Sequence, residues 1–280
     1  MNKAFTFKNC GWLIAVLLFS SLSASFSYAG SARSSSITHW NGECSGGTRT
    51  WWDDMCMAWR KRMGSKGWSQ WWVNYHLVRV GRYVDPTIAA WGQDKWNLDG
   101  GDAALMCTHG GYDENGWYGG MHTKDHGQCR LNVSDMKIGP YLGNGKNRFW
   151  HMSSCNSIRW NLLGKWWGPA AGRVHVITGF HGYMYIGSKY VGEYRDLAKY
   201  GFSSKGVGKV WRDKMHHVHH WYNSWKTVCP ISLGFGYSRA TSANALNEKY
   251  KWAYSNKNPN WMTYTWKSGC DPTGGPKLPN

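Results

Sequence analysis

Two side chains suited to covalent catalysis lie in the middle of the chain, each shortly after an apolar run. His109 follows the run 103–107 (AALMC), and Cys155 follows the run 148–152 (RFWHM) and two serines. A thiol needs a base or a positive environment to attack a carbonyl near neutral pH, and an imidazole can act as that base. The pair therefore predicts acyl-transfer chemistry in which Cys155 is the nucleophile and His109 handles the proton.

The residues next to this pair suggest how a negative charge on the substrate would be stabilised. Gly110 has no side chain, so a substrate carbonyl can approach its backbone closely. We expect the N–H groups of Gly110 and Cys155 to form the oxyanion hole. Apolar residues recur at helical spacing over 158–167, which predicts a helix after the cysteine whose positive end would lower the pKa of the thiol.

The beginning of the chain has the layout of a secretory signal peptide. Two lysines precede an apolar run, and a small-x-small site ends at Ala29, which predicts a signal over 1–29. The formal charge of +17 would then become 17 − 2 = +15, because two lysines and no acidic residue are removed. We therefore expect a secreted or periplasmic protein. No internal run of about 20 apolar residues exists, so no transmembrane segment is expected in the mature chain.

Export gives the cysteines a specific meaning, because oxidising compartments favour disulfides. Removal of 1–29 leaves seven of the eight cysteines. An odd number leaves at least one cysteine unpaired within the chain, and the chain pattern nominates Cys155 as the free thiol. Six paired cysteines allow 15 connectivities, among which the sequence does not choose.

Three short runs between Gly-rich segments have the apolar character of buried strands: 103–107, 148–152 and 174–177. Strand, helix and strand in succession predict a parallel sheet, in which functional groups collect at the carboxyl ends of the strands. We also expect a helix over 50–63 and a strand over 71–80. Residues 30–38 are interpreted as a flexible leader and 271–280 as an irregular tail, so 30–280 form one domain with terminal extensions.

This order of motifs resembles the caspase-like cysteine peptidases, which include caspases, gingipains, legumain and separase, and also uncharacterised bacterial caspase-like proteins. The motifs are AALMCTHGG (103–111), RFWHMSSCNS (148–157) and VHVITGF (174–180). The resemblance covers roughly residues 100–185. It implies a caspase-like, mostly parallel sheet flanked by helices, here with disulfide-supported, Trp-rich flanking segments. It also implies a cysteine endopeptidase that acts on a peptide or protein substrate without a cofactor.

The resemblance also suggests which residues line the substrate pocket. The run 174–180 resembles a strand that walls the first specificity pocket, which nominates Thr178 and Gly179, with His181 as a pocket-lining or structural residue. Asp113 and Glu114 follow His109 in a Gly-rich loop and would bias substrate choice. The segment around Cys155 lacks the Gln and Arg found in caspases, so no aspartate preference is assigned.

A second hypothesis treats the chain as a secreted, non-catalytic binding protein. Its 21 tryptophans and its positive charge suit anionic polymers or glycans, since Trp faces stack on rings while Lys and Arg attract the charge. No motif for specific nucleic-acid recognition occurs.

The histidines of 215–225 suggest a metal site, but only weakly. On a helix, His216 and His220 would share a face, as would His217 and His220. No acidic third ligand follows at a recognised spacing, so we predict a partly exposed His-rich helix and no metal.

Overall fold

The central feature of the molecule is a mostly parallel β-sheet. A computed structural model describes residues 30–40, 42–143, 145–203, 205–221, 224–251 and 258–280. The proposed signal peptide, 1–29, lies outside the described residues. The strands in this part of the chain are β1 Ser31–Ser36, β2 Ser69–Asn74, β3 Ala103–Cys107, β4 Gly110–Asp113, β5 Gly116–Asp125, β6 Gln128–Asn132, β7 Phe149–Ser153, β8 Val176–His181, β9 His217–Trp221, β10 Ser224–Gly236 and β11 Trp261–Thr265.

The large sheet has the strand order β2-β1-β3-β7-β8-β10-β11, with β9 paired to β10. The first five strands are parallel to one another, whereas β10 runs antiparallel to β8 and β11. A separate three-stranded antiparallel sheet is formed by β4, β5 and β6. The predicted α/β class with a mostly parallel sheet is therefore confirmed.

Helices flank the sheet. Their bounds are α1 Trp51–Gly64, α2 Trp167–Ala170, α3 Ser188–Gly201, α4 Val207–Lys214 and α5 Arg239–Ala245. Helix α1 packs against α3, β1 and β3, while α4 and α5 lie against β10. The helix predicted over 50–63 is confirmed by α1. None of the described helices has the length and apolar character that a bilayer crossing requires.

The segment 30–38 is not a flexible leader, and this prediction is wrong. It contains β1, which pairs with β2 on one side and with β3 on the other. The run is rich in serine and lacks an apolar alternation, which explains why its composition resembles a linker. Two of its buried hydroxyls have partners inside the protein: Tyr83 donates to the Oγ of Ser35, and the Oγ of Ser36 donates to Asp53. Paired hydroxyls and a ladder on both sides allow this polar strand to be buried.

The helix predicted after Cys155 is also absent from the structure. A 3₁₀ segment covers Trp160–Trp166, with a break at Leu162, and the short helix α2 follows it. Asn156 has a positive φ of 54°, which is incompatible with a helix starting directly after the cysteine. Ile158, Leu163 and Trp166 of this segment are buried, whereas Trp167 is exposed.

The strand predicted over 71–80 forms only in its first part. Strand β2 ends at Asn74, and a 3₁₀ turn over Tyr75–Leu77 takes the chain out of the sheet.

Three disulfides join distant parts of the described chain: Cys44–Cys129, Cys56–Cys107 and Cys229–Cys270. The second one ties α1 to the end of β3, which carries the proposed catalytic histidine. Much of the core is aromatic, and its largest fully buried side chains include Trp52, Trp59, Trp150, Trp166 and Trp211.

Candidate active site

His109 and Cys155 come from neighbouring strands at the same level of the sheet. Strands β3 and β7 are parallel, and Cys107 pairs with Ser153 at their carboxyl ends. Each proposed catalytic residue follows its strand's last residue by two positions. The two segments stay hydrogen-bonded beyond the end of β3, since the N–H of Thr108 donates to the carbonyl of Ser153 at 3.2 Å. The structure therefore brings both residues to the carboxyl edge of the sheet, where functional groups of such sheets collect.

The imidazole of His109 is held in a defined orientation. Its Nε2 lies 2.7 Å from the carbonyl oxygen of Gly47. A carbonyl only accepts hydrogen bonds, so Nε2 carries the proton and Nδ1 is the basic nitrogen. The rings of Trp40 and Trp52 pack on the imidazole at centroid distances of 4.7 and 5.0 Å. This is the arrangement of a general base oriented by a third group.

The segment 42–49, which supplies the carbonyl of Gly47, is anchored on both sides. The Cys44–Cys129 disulfide links it to β6, and the N–H of Arg49 donates to the carbonyl of Thr38 at 2.7 Å. The sequence offers no signal for this role, because the functional atom belongs to the backbone.

Cys155 is the free cysteine of the described residues. Its Sγ contacts the carbonyl of Met184 at 3.7 Å and makes no hydrogen bond to His109 in the described part of the chain. Burial raises the pKa of the Cys155 thiol, and the Met184 contact and the charge of Arg49 offset only part of this rise. A helix N-terminus does not lower the pKa of this thiol, because no helix begins directly after Cys155.

The histidine of the pair is also neutral at rest. Burial lowers the pKa of His109, the Gly47 contact opposes this, and the charge of Arg49 lowers it further. A neutral imidazole beside a protonated thiol requires proton transfer during attack rather than a preformed thiolate. Catalytic hydrogen bonds often tighten only when substrate binds, so the missing hydrogen bond between Cys155 and His109 does not argue against such a transfer.

The backbone at Gly110 comes very close to the cysteine. A Cβ at this position would lie 2.2 Å from the Oγ of Ser154 and 2.4 Å from the carbonyl oxygen of Cys155, so only glycine fits. In the β4–β5 ladder, the N–H of Gly120 donates to the carbonyl of His109. Antiparallel ladders alternate hydrogen-bonded and non-bonded pairs, so the next pair, Gly110 and Gly119, leaves the N–H of Gly110 directed away from β5. That the N–H groups of Gly110 and Cys155 bind an oxyanion stays a prediction.

A groove of about 570 Å³ opens beside Gly110. It is lined by Gly110, Gly111, Tyr112, Tyr118, Asn156, Arg159, Tyr183, Gly274, Gly275 and Pro276. Three of these belong to the C-terminal segment 271–280, which is irregular, as expected. Sequence reasoning did not expect this segment to contribute to the site.

Arg159 is the charged residue of this groove. It is only 7% exposed, and its guanidinium lies 3.7 Å above the ring of Tyr112. Its Nη1 donates to the Oδ1 of Asn156 and to the carbonyl of Gly274, both at 2.9 Å, and its Nε donates to Asn161. No acidic side chain pairs with Arg159 in the described part of the chain, and its Nη2 has no hydrogen-bond partner there. The groove therefore contains an oriented, uncompensated positive charge.

None of the five predicted pocket residues lines this groove. Asp113 and Glu114 are exposed at the turn between β4 and β5. Thr178 is fully buried in β8, and Gly179 of the same strand is buried too. Contact between any of these residues and a substrate stays a prediction.

His181 acts on the groove indirectly. Its Nε2 donates to the carbonyl of Pro276 at 2.9 Å, and its Nδ1 accepts the N–H of Trp160 at 3.3 Å. These bonds attach the C-terminal segment to the end of β8, so His181 has the structural role that the sequence allowed.

The histidines of 215–225 do not form the expected helix, and this prediction is wrong. Residues 217–221 form β9, paired antiparallel with β10. In a strand the spacing of four residues no longer places two side chains one helical turn apart. The side chains of His219 and His220 lie outside the described residues, while His217 forms an ion pair with Glu193 at 2.9 Å. Among the described residues, no group of three His, Cys, Asp or Glu side chains is arranged to bind a metal ion.

Comparison with known proteins adds no relative: no family model matches the chain, and no curated protein matches it.

Proposed function

We propose that the protein is a caspase-like cysteine peptidase that uses Cys155 and His109. The observation that carries this proposal is a free thiol after the end of β7 and, after the end of the neighbouring strand β3, a histidine whose Nε2 is fixed on the carbonyl of Gly47. The parallel strand order and the His-Gly and Ser-Cys motifs support the same family. Three disulfides fit an extracellular protein, which supports export.

The reaction follows from the protonation states of the two groups. The Sγ of Cys155 attacks the carbonyl carbon of the scissile peptide bond while its proton moves to the Nδ1 of His109. The N–H groups of Gly110 and Cys155 stabilise the oxyanion. Collapse breaks the C–N bond, and the leaving amine takes the proton from His109. Water, deprotonated by the same imidazole, then attacks the thioester. The C–S bond breaks, the acid is released, and the imidazolium returns the proton to the Sγ of Cys155.

We further propose that the groove binds an acidic side chain of the substrate next to the scissile bond. The free Nη2 of Arg159 would donate to the carboxylate, and stacking on Tyr112 would hold the guanidinium plane in place. The net positive charge of the chain would favour the approach of acidic peptides.

The alternative, a binding protein for anionic polymers or glycans, draws on exposed aromatic side chains. Trp96 is 71% exposed, Trp261 51% and Trp51 43%. These rings come from separate elements, and the guanidinium of Arg60 lies over the ring of another exposed tryptophan, Trp72. This hypothesis does not require a free Cys155.

A peptide library tests the two proposals together. We expect the purified protein to cleave acidic-residue peptides, and Cys155→Ala and His109→Ala to lose cleavage while remaining folded. The control is His126→Ala, which changes a histidine of the β5–β6 turn outside the site. Equal turnover by all variants would refute the dyad. Absence of cleavage together with retention on a glycan or polyanion column at low salt would favour the binding protein.

A further inference from the structure

A group of buried aspartates lies far from the proposed active site, near the start of β3. Asp85, Asp94 and Asp99 are at most 1% exposed. Within the described residues, no Lys, Arg or His forms a salt bridge with Asp94 or Asp99. The interior thus holds buried carboxyl groups that have no basic partner among the described residues.

Four oxygen atoms in this region are buried and without hydrogen-bond partners in the described structure. They are both carboxylate oxygens of Asp94, Oδ1 of Asp99 and Oδ1 of Asn147. The other oxygen of Asp99 accepts the N–H of Gly139 at 2.8 Å. Buried polar atoms are normally paired, so a group of four unpaired oxygens indicates a missing positive partner.

Hydrogen bonds to backbone groups hold together the chain segments that carry these side chains. The N–H of Asp99 donates to the carbonyl of Asp94 at 2.8 Å, and the N–H of Lys146 donates to the carbonyl of Asp99 at 2.7 Å. The Nδ2 of Asn147 donates to the carbonyl of Leu98 at 3.0 Å, which places its amide beside Asp99. The oxygens therefore come from two chain segments, one leading into β3 and the other into β7.

We propose that Asp94, Asp99 and Asn147 bind one Ca²⁺ ion. Calcium takes six to eight oxygen ligands, including mono- or bidentate carboxylates and amide carbonyls, and tolerates irregular geometry. The two free oxygens of Asp94 suit bidentate binding, and backbone carbonyls or water would complete the shell. Mg²⁺ usually keeps several waters, which a fully buried donor set does not favour. Asp85 contributes charge, while its Oδ1 already accepts the N–H of Thr87.

The position of the site predicts a structural role. It connects the starts of the two strands whose other ends carry His109 and Cys155. A five-residue strand spans about 17 Å, so the ion would not reach the reacting atoms. Binding should stabilise the fold by neutralising the carboxylates, and this inference is independent of the proposed peptidase activity.

Thermal unfolding in EGTA and in millimolar CaCl₂ tests the proposal, with native mass spectrometry to count bound ions. We expect one Ca²⁺ per chain and a rise in Tm of about 5 °C with calcium. Asp94→Asn should lose the calcium response and should be at least as stable as the wild type in EGTA, because it removes buried repulsion. Asp113→Asn, an exposed control, should keep the response.

Several results would overturn the proposal. One is the absence of both a bound ion and a Tm shift in the wild type. Another is an undiminished calcium response in Asp94→Asn, and a third is an equal Tm shift with MgCl₂. Asn147→Ala provides a second variant should Asp94→Asn fail to fold, and it should weaken calcium binding.

Discussion

Replacing Arg159 with glutamine should remove the proposed preference for an acidic residue. Arg159 is 7% exposed and has no acidic partner in the described part of the chain. A substrate carboxylate would therefore face a positive charge that no acidic side chain neutralises. Hydrogen bonds to charged groups contribute about 1.5–3 kcal/mol. This corresponds to a loss of about 10- to 150-fold in kcat/KM for an acidic substrate.

The assay compares two fluorogenic peptides that differ only in Glu or Gln before the scissile bond. The wild type should prefer the Glu peptide, and Arg159→Gln should lose activity on it while cleaving the Gln peptide nearly as before. Arg159→Lys should keep part of the preference, because the charge stays but the planar fork is lost. Arg195→Gln removes the same charge from the exposed surface of α3 and should change neither rate. An equal fall for both peptides in Arg159→Gln would show a merely structural role and refute the specificity argument.

Four further predictions concern the catalytic pair and its supports. Because burial lowers the pKa of His109, the base stays neutral to lower pH, so the acid limb of kcat/KM should have its midpoint below 6.5. Because burial raises the pKa of Cys155, iodoacetamide labelling at neutral pH should be slower than for a free cysteine peptide. Replacing both Cys44 and Cys129 with serine should cost about 2–4 kcal/mol in urea unfolding and lower kcat roughly tenfold, since the carbonyl that orients the base loses its anchor. His181→Ala should raise KM more than it lowers kcat, because the C-terminal wall of the groove loses its attachment.

The parts of the fold that could be predicted are those with an apolar pattern. The run 103–107 is buried on both faces and has the continuous apolar character of an interior strand, so β3 matches its predicted bounds. Strand β1 was missed because serine hydroxyls and a two-sided ladder replace apolar burial. The helix after Cys155 was expected from spacing alone, but the positive φ of Asn156 prevents it from starting there.

The limits of prediction at the site have a different cause. His109 and Cys155 can be predicted from their residue types and their positions after apolar runs. The carbonyl of Gly47 cannot, because it is a backbone group that every residue has. Arg159 is placed in the groove by a contact with Gly274, which is 115 residues away in sequence. Such long-range contacts depend on the complete fold and leave no local pattern.

The central claim is that the thiol of Cys155 is activated by His109. Its most direct test is mass spectrometry of the intact protein after incubation at pH 7 with peptide acyloxymethyl ketones that end in an acidic or a neutral residue. We predict a single adduct, located on Cys155, whose rate of formation falls at least 100-fold in His109→Ala and stays unchanged in His126→Ala. Absence of an adduct, or an equal rate in His109→Ala, would contradict the account.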